Sequence, residues 1–252
     1  MSGRIALVTG AARGIGAATA RALLDDGCTV VGVDVLPPAP DSPAGDGTGA
    51  RFEHWICDVS DERAVEGLVA HVAERYGGID VLANVAGVVL VRPLVECTWA
   101  DYRRTVDVNL GGTFLMCKHA LPLMREGGAI VNVASISGHI GQRDHALYAA
   151  TKGAILSLCR ALAWELAPSR IRVNSVSPGS VDTPMLRSDI EIEARARSLP
   201  YDEVKAERAA EQALGRWAHP EEIADAVVFL AGERASFITG ADLLVDSGWV
   251  AR

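Results

Sequence analysis

Apolar residues fall along the chain in two alternating patterns. Short unbroken runs, Ile5-Ala6-Leu7-Val8, Thr29-Val30-Val31-Gly32-Val33, Ile79-Asp80-Val81-Leu82-Ala83, Ala129-Ile130-Val131-Asn132-Val133-Ala134 and Ile171 through Val176, predict strands buried on both faces. Between them, stretches 14–24, 62–76, 99–124, 146–166 and 220–231 carry apolar residues at helical spacing and predict amphipathic helices. Two weaker strand segments, 51–57 and 242–245, complete the alternation. Strand followed by helix, repeated, is the signature of an α/β fold with a parallel sheet. Segment 36–49 stands where a crossover helix belongs, but it is rich in Pro, Gly and Asp and predicts a loop. Segment 185–215 is charged and helical with a break at Leu199-Pro200, a pattern that suits a lid. No internal repeat or linker interrupts the 252 residues.

Composition narrows the class. A hydrophobic fraction of 49% supports a large core, and a net charge of −8 without any Lys/Arg-rich run argues against nucleic-acid and anionic-membrane partners. No apolar window reaches the length of a membrane span, and the first strand begins at once, without a targeting leader. Five scattered cysteines, Cys28, Cys57, Cys97, Cys117 and Cys159, form no Cys-x-x-Cys and read as reduced core residues of a cytoplasmic protein. No metal-ligand spacing is present, so the expected partner is a small molecule.

Candidate chemistry gathers at the ends of the predicted strands, the edge where open α/β sheets bind ligands. The first strand runs into Thr9-Gly10-Ala11-Ala12-Arg13-Gly14-Ile15-Gly16 and then a helix. Glycines there allow a tight turn and let backbone approach a pyrophosphate, which the helix N-terminus attracts. The spacing is not the common Gly-x-Gly-x-x-Gly, so an ordinary glycine turn competes with a cofactor loop. Asp34 ends the second strand about 20 residues on, where a ribose 2′-hydroxyl needs an acceptor. Its charge opposes a 2′-phosphate and favours NAD over NADP; Arg13 is the contrary signal. Asp58-Val59 ends the third strand, with Asp58 either meeting an adenine amino group or capping the next helix in competition with Ser60 and Asp61. Asn84-Val85-Ala86-Gly87 and Pro178-Gly179 make two further small-residue turns, and Val181 and Thr183 are placed to offer an amide and a hydroxyl to a cofactor amide. Val108-Asn109-Leu110-Gly111-Gly112 interrupts a helix, which either frees a carbonyl to hold a water or lets helices pack closely.

Segment 135–152 brings these features to a reaction. Ser135 ends the fifth strand, and Tyr148 and Lys152 lie four residues apart on one face of the predicted helix. A lysine charge about 4 Å from a phenolate, at an effective dielectric near 20, is worth about 4 kcal/mol. That would lower an ordinary tyrosine by up to about three pKa units, into the range of a general acid/base at neutral pH. Alone, a Tyr-x-x-x-Lys pair is more often a partly buried ring beside a solvated lysine.

Taken together, Thr9-Gly10-x3-Gly14-x-Gly16, Asp58-Val59, Asn84-x-Ala86-Gly87, Asn109, Ser135, Tyr148-x3-Lys152, Asn174-x3-Pro178-Gly179 and Thr183 resemble the short-chain dehydrogenase/reductase family, in order and spacing, over nearly the whole chain. Val85 stands where the family has a second asparagine, Ser247 where it has a glycine, and the loop after Asp34 where it has a helix. The resemblance implies one doubly wound Rossmann domain over 1–252, with a seven-stranded parallel sheet and a small helical lid, usually assembled as a homotetramer. It implies that Tyr148 is the general acid/base, Lys152 lowers its pKa and holds the nicotinamide ribose, Ser135 binds the substrate oxygen and Asn109 anchors a relay water. Gly10, Arg13, Gly14, Ile15, Gly16, Asp34, Asp58, Val59, Asn84, Ala86, Gly87, Tyr148, Lys152, Pro178, Gly179, Val181 and Thr183 become the expected contacts of an NAD cofactor. The expected reaction is oxidation of a secondary alcohol to a ketone. Ser137, His139, Gln142, Arg143, Leu147, Met185 and Leu186 are expected to line a pocket for a small cyclic alcohol, diol or polyol. The stretch after Ser175 resembles dihydrodiol-type dehydrogenases. The competing readings are an NADPH-dependent 3-oxoacyl carrier-protein reductase and a cofactor-sensing protein without turnover.

Overall fold

Strand β1 (Ile5–Thr9) is buried along its whole length and lies at the middle of the sheet. The computed structural model describes residues 1–39, 43 and 51–251, so most of the expected loop over 36–49 lies outside the described residues. From β1 the chain moves outward through helix α1 (Gly14–Asp25) to β2 (Thr29–Asp34) and then to β3 (Phe52–Ile56). After α2 (Glu62–Tyr76) it returns to the other side of β1 as β4 (Ile79–Asn84). The strands that follow are β5 (Met124–Val133), β6 (Arg172–Pro178) and β7 (Asp242–Val245). Among the described residues this makes a seven-stranded parallel sheet in the order β3-β2-β1-β4-β5-β6-β7. The direction of winding reverses between β1 and β4, and such a reversal opens a crevice at the carboxyl ends of the strands.

Alternation along each strand divides the core in two. Leu7, Val31, Val33, Leu82 and Ile130 pack beneath α2, α4 (Gly112–Ala120) and α5 (Ala146–Leu166). Ala6, Val8, Val30, Val81 and Val131 face the opposite way, onto α1 and α8 (Pro220–Ala231). With both faces covered, continuous apolar strands are required, which is why these segments lack the polar alternation of a half-exposed sheet. A third, small cluster of Ile190, Ala194, Val204 and Trp217 holds α6 (Pro184–Arg197) against α7 (Tyr201–Ala210). The break between them falls at Ser198, which takes a left-handed conformation ahead of Pro200.

The helix expected over 99–124 is shorter and interrupted. α3 (Trp99–Val106) starts at a capping box between Thr98 and Asp101, passes through a π turn over 107–111, and continues as α4 only to Ala120. Pro122 cannot donate to the helical ladder, and Met124 instead opens β5, opposite Ile79. α2 has the ends its sequence suggests: Asp61 accepts bonds from the Arg63 and Ala64 amides, and Gly77 closes it in a left-handed conformation. Asp61, not Asp58, is therefore the cap.

One side chain fastens the end of α8 to the sheet. The Arg172 guanidinium donates to the carbonyls of Leu230, Ala231 and Gly232 at 2.7, 3.2 and 3.0 Å, meeting a helix C-terminus whose carbonyls have no helical partner. Arg172→Ala is expected to lower the unfolding free energy by about 2–3 kcal/mol, since charge-assisted bonds to half-buried carbonyls are lost. Urea denaturation monitored by circular dichroism checks it.

Candidate active site

The turn after β1 works by the absence of side chains. A Cβ on Gly16 would lie 2.0 Å from the Gly10 carbonyl oxygen, and one on Gly10 would lie 3.0 Å from Ala86 backbone, where Gly10 also has a positive φ of 70°. Helix α1 then begins at Arg13 with no side-chain cap and no acidic residue in its first turn, so its leading amides are left for an anion. Thr9 fixes the neighbouring turn: its hydroxyl accepts bonds from the amides of Val85 and Ala86 at 2.9 and 3.0 Å. At the end of β2, the Asp34 carboxylate is held by the Ala12 amide at 3.1 Å and the Leu36 amide at 3.0 Å.

These turns form one side of a cleft of about 710 Å³ that runs along the carboxyl edge of the sheet. Gly10, Arg13, Gly14, Ile15, Gly16, Asp34, Asp58, Val59, Ala86, Gly87, Pro178, Gly179, Val181 and Thr183 all line it, together with Ser135, Tyr148 and Lys152. Asp58 uses one oxygen to hold the amide and hydroxyl of Ser60. Thr183 caps α6 by accepting from the Leu186 amide, which leaves its own proton to donate.

Two expected site residues do not line the cleft. The Asn84 side chain is buried beneath the sheet, donating to Asn132 at 2.7 Å and to the Cys117 sulfur at 3.5 Å. Strand parity explains this, because Asn84 points to the same face as Leu82. Asn109, fully buried, clamps the loop after β4: its Oδ1 accepts from the Val88 amide at 2.8 Å and its Nδ2 donates to the Val88 carbonyl at 2.9 Å and to Thr151 at 3.2 Å. The π turn gives its main-chain oxygen a different partner, the Thr113 hydroxyl at 2.8 Å. Gly112 serves packing as well, since a Cβ there would strike Val59, whereas one on Gly111 would meet only an ordinary contact.

On the opposite wall, Lys152 is 4% exposed and donates to the Val133 carbonyl at the end of β5, 2.8 Å away. Its nitrogen lies 5.7 Å from the centre of the Tyr148 ring, over the face of the ring. Around the phenol, burial outweighs the expected pull of the Lys152 charge. Burial pushes Tyr148 up to about 12, the Ser135 hydroxyl pulls it down, and the charge of Asp189 pushes it up again. Burial also pushes Lys152 down to about 8. Both shifts have one cause, the cost of charge in a poorly hydrated site. Ser135 completes the group, accepting from the Ser137 amide and donating to the Ser137 hydroxyl, each at 3.2 Å.

The expected pocket lining is only partly recovered. Ser137, Gln142, Met185 and Leu186 line the cleft, whereas His139 turns away to Asp242 at 2.8 Å, and Arg143 and Leu147 lie elsewhere. His145, at the end of the wall expected over 139–145, and the lid residues Asp189, Ile190 and Arg208 line it as well, and so does Trp249, which was not singled out from the sequence. Period-3.6 reasoning places Asp189 one turn beyond Met185 and so could have found it. Trp249 follows the last strand and carries no local signal.

A family model described as enoyl-(acyl carrier protein) reductase matches residues 10–250. The chain is 43% identical to cis-4-hydroxycyclohexanecarboxylate dehydrogenase of Sinomonas cyclohexanicum, over 98% of this chain and 97% of that protein. The chain belongs to the short-chain dehydrogenase/reductase family. Within the family it is also 38% identical to D-threitol dehydrogenase of Mycolicibacterium smegmatis, over 100% of this chain and 95% of the other. The ligand-free aldohexose dehydrogenase of Thermoplasma acidophilum superposes with a TM-score of 0.90 at 34% identity, covering 100% of this chain and 95% of that one. Family membership makes the protein an oxidoreductase of the nicotinamide-dependent type.

Holding a lysine at this depth has a measurable consequence. Because the folded-state value of about 8 lies below the ordinary 10.5, the unfolded chain binds more protons between those limits. Stability from this group therefore rises with pH above 8 and is lowest below it. Lys152→Met is expected to raise the unfolding free energy at pH 7 by on the order of 1–3 kcal/mol and to flatten the rise between pH 8 and 10. Denaturation curves across that pH range check it.

Proposed function

We propose that the protein oxidises a secondary alcohol of a small cyclic alcohol, diol or polyol to the ketone, with NAD as hydride acceptor. The observation that carries this reading is the sharing of one cleft by a bare-backbone cradle, a fixed carboxylate at the end of β2, and the Ser135, Tyr148 and Lys152 group. The residues fit a nicotinamide dinucleotide: glycine backbone and uncapped α1 amides face the cleft, as a pyrophosphate requires. Bound there, NAD supplies the carbon that takes the hydride. Asp34 accepts from the adenosine ribose and disfavours a 2′-phosphate, while Arg13, exposed beside it, does not reverse that preference. The same carboxylate weighs against the NADPH-dependent acyl reductase reading.

In this reading the chain's own residues handle the proton. Ser135 donates to the substrate oxygen, and Tyr148, once it has released its own proton to solvent, takes the hydroxyl proton as phenolate. Lys152, anchored at Val133, keeps a positive charge beside the phenol and binds the nicotinamide ribose. Asn109 acts by holding the 85–91 loop and Thr151 in place, and any relay water is held at its main-chain oxygen. Helices α6 and α7 form the lid, packed as a unit through Trp217.

Assembly and compartment belong to the same proposal. Phe114 on α4 and Trp164 on α5 are exposed aromatic residues on the two helices that a homotetramer would cover. Cys28, Cys57, Cys117 and Cys159 are buried and free, which supports a reducing compartment, the cytoplasm. Among the described residues no helix is long and apolar enough to cross a membrane.

Tyr148→Phe is expected to lower kcat by at least about a hundredfold while NAD binding, followed by fluorescence quenching, stays within a few-fold of wild type. Wild-type kcat/KM is expected to favour NAD over NADP by more than about tenfold. Asp34→Ala should shrink that ratio, as steady-state kinetics with the two cofactors will read.

A further inference from the structure

The substrate end of the cleft holds a carboxylate that nothing in the chain uses. Asp189 projects from α6 into the cleft, partly buried, and among the described residues its side chain has no hydrogen bond and no ion pair. Its charge reaches the Tyr148 phenol. The neighbouring cation, Arg208, favours its charge from a distance but makes no ion pair with it. Arg208, also at the cleft wall, gives its guanidinium to Glu193, at 2.8 and 3.1 Å, with Glu211 at 3.9 Å on its other side. Glu193 is also paired with Arg197, at 2.9 Å, so both guanidinium groups are engaged with glutamates and Asp189 is left without one.

Nearby groups add acceptors. The Nδ1 of His145 lies 2.6 Å from the Arg143 carbonyl, which can only accept, so that nitrogen carries a proton and the neutral ring offers Nε2 as an acceptor. Gln142 accepts from the Ser137 hydroxyl through its oxygen and keeps its amide protons for a ligand. A wall of this kind suits a ligand that brings hydroxyl donors and is uncharged.

We infer that Asp189 determines specificity: its carboxylate accepts a hydrogen bond from a second hydroxyl of the substrate and repels substrates that carry a carboxylate. This rests on the alcohol dehydrogenase reading above and sharpens it, separating polyol substrates from hydroxy acids. A relative named for a hydroxycyclohexanecarboxylate and one named for threitol are both similar to this chain, so these two kinds of substrate are the ones to compare. Burial pushes the Asp189 carboxyl up to about 6, which leaves it ionised at neutral pH.

The test compares kcat/KM with NAD for trans-cyclohexane-1,2-diol, cyclohexanol and cis-4-hydroxycyclohexanecarboxylate in wild type, Asp189→Asn and Asp189→Leu. Changes at Tyr148 alter all three substrates together, so the ratios carry the result. The diol-to-cyclohexanol ratio is expected to fall at least about tenfold in Asp189→Leu and less in Asp189→Asn, whose amide oxygen still accepts. The carboxylate-to-cyclohexanol ratio is expected to rise in both variants. Wild-type ratios retained in Asp189→Leu would overturn the inference while leaving the dehydrogenase reading intact. A wild-type enzyme that turns over none of the three overturns that reading, and the inference with it.

Discussion

A single buried cation organises the active site. The Lys152 ammonium sits under the Tyr148 ring, tied to the Val133 carbonyl at the end of β5, in a place where burial works against its charge and against ionisation of the phenol. Burial thereby keeps the tyrosine protonated at neutral pH and leaves the lysine charged but close to losing its proton. A solvated pair would be less responsive, because water would screen any new charge brought beside it. The depth of the lysine is set by the sheet, since β5 ends at the floor of the cleft and α5 packs directly against that face.

The rest of the site depends on keeping that floor rigid. Thr9 ties the end of β1 to the turn after β4, Asn109 clamps the next few residues through Val88, and the π turn that carries Asn109 fits against Val59 only because Gly112 has no side chain. Beneath them, Asn84 and Asn132 bond across β4 and β5 and reach the Cys117 and Cys159 sulfurs. Above the floor, α6 and α7 have a small core of their own and charged outer faces, a weaker attachment suited to an element that closes over substrate. Ser247 links the two parts: in a left-handed conformation, it offers its hydroxyl to the Leu214 amide at 2.7 Å, which gives a reason for serine where the family has glycine.

What could be read from the sequence follows from what each signal encodes. Hydrophobic period identified the five inner strands because they are covered on both faces, and Gly-x-x-x-Gly-x-Gly identified a turn that only bare backbone can make. The i, i+4 spacing of Tyr148 and Lys152 placed them together but carried nothing about depth, which sets how strongly burial opposes ionisation of the phenol. Asn84 was misplaced although its parity with Leu82 was visible in the sequence. The partner of His139 was illegible for another reason, and so was what Asp189 would face, although its place one turn beyond Met185 could be read. His139 lies in a turn whose side-chain directions are set by the distant Asp242, and the lid's charges acquire meaning only once α6 is docked over the cleft.

Hydride transfer from the alcohol carbon is the central claim, and isotope labelling tests it most directly. A cyclic diol carrying deuterium on its carbinol carbons is reacted with NAD in a single turnover, and the reduced cofactor is isolated for mass analysis. The account predicts slower appearance of NADH than with the unlabelled diol and one deuterium recovered on the nicotinamide ring. Reduced nicotinamide without the label, or no reduction with any cyclic diol, would contradict it.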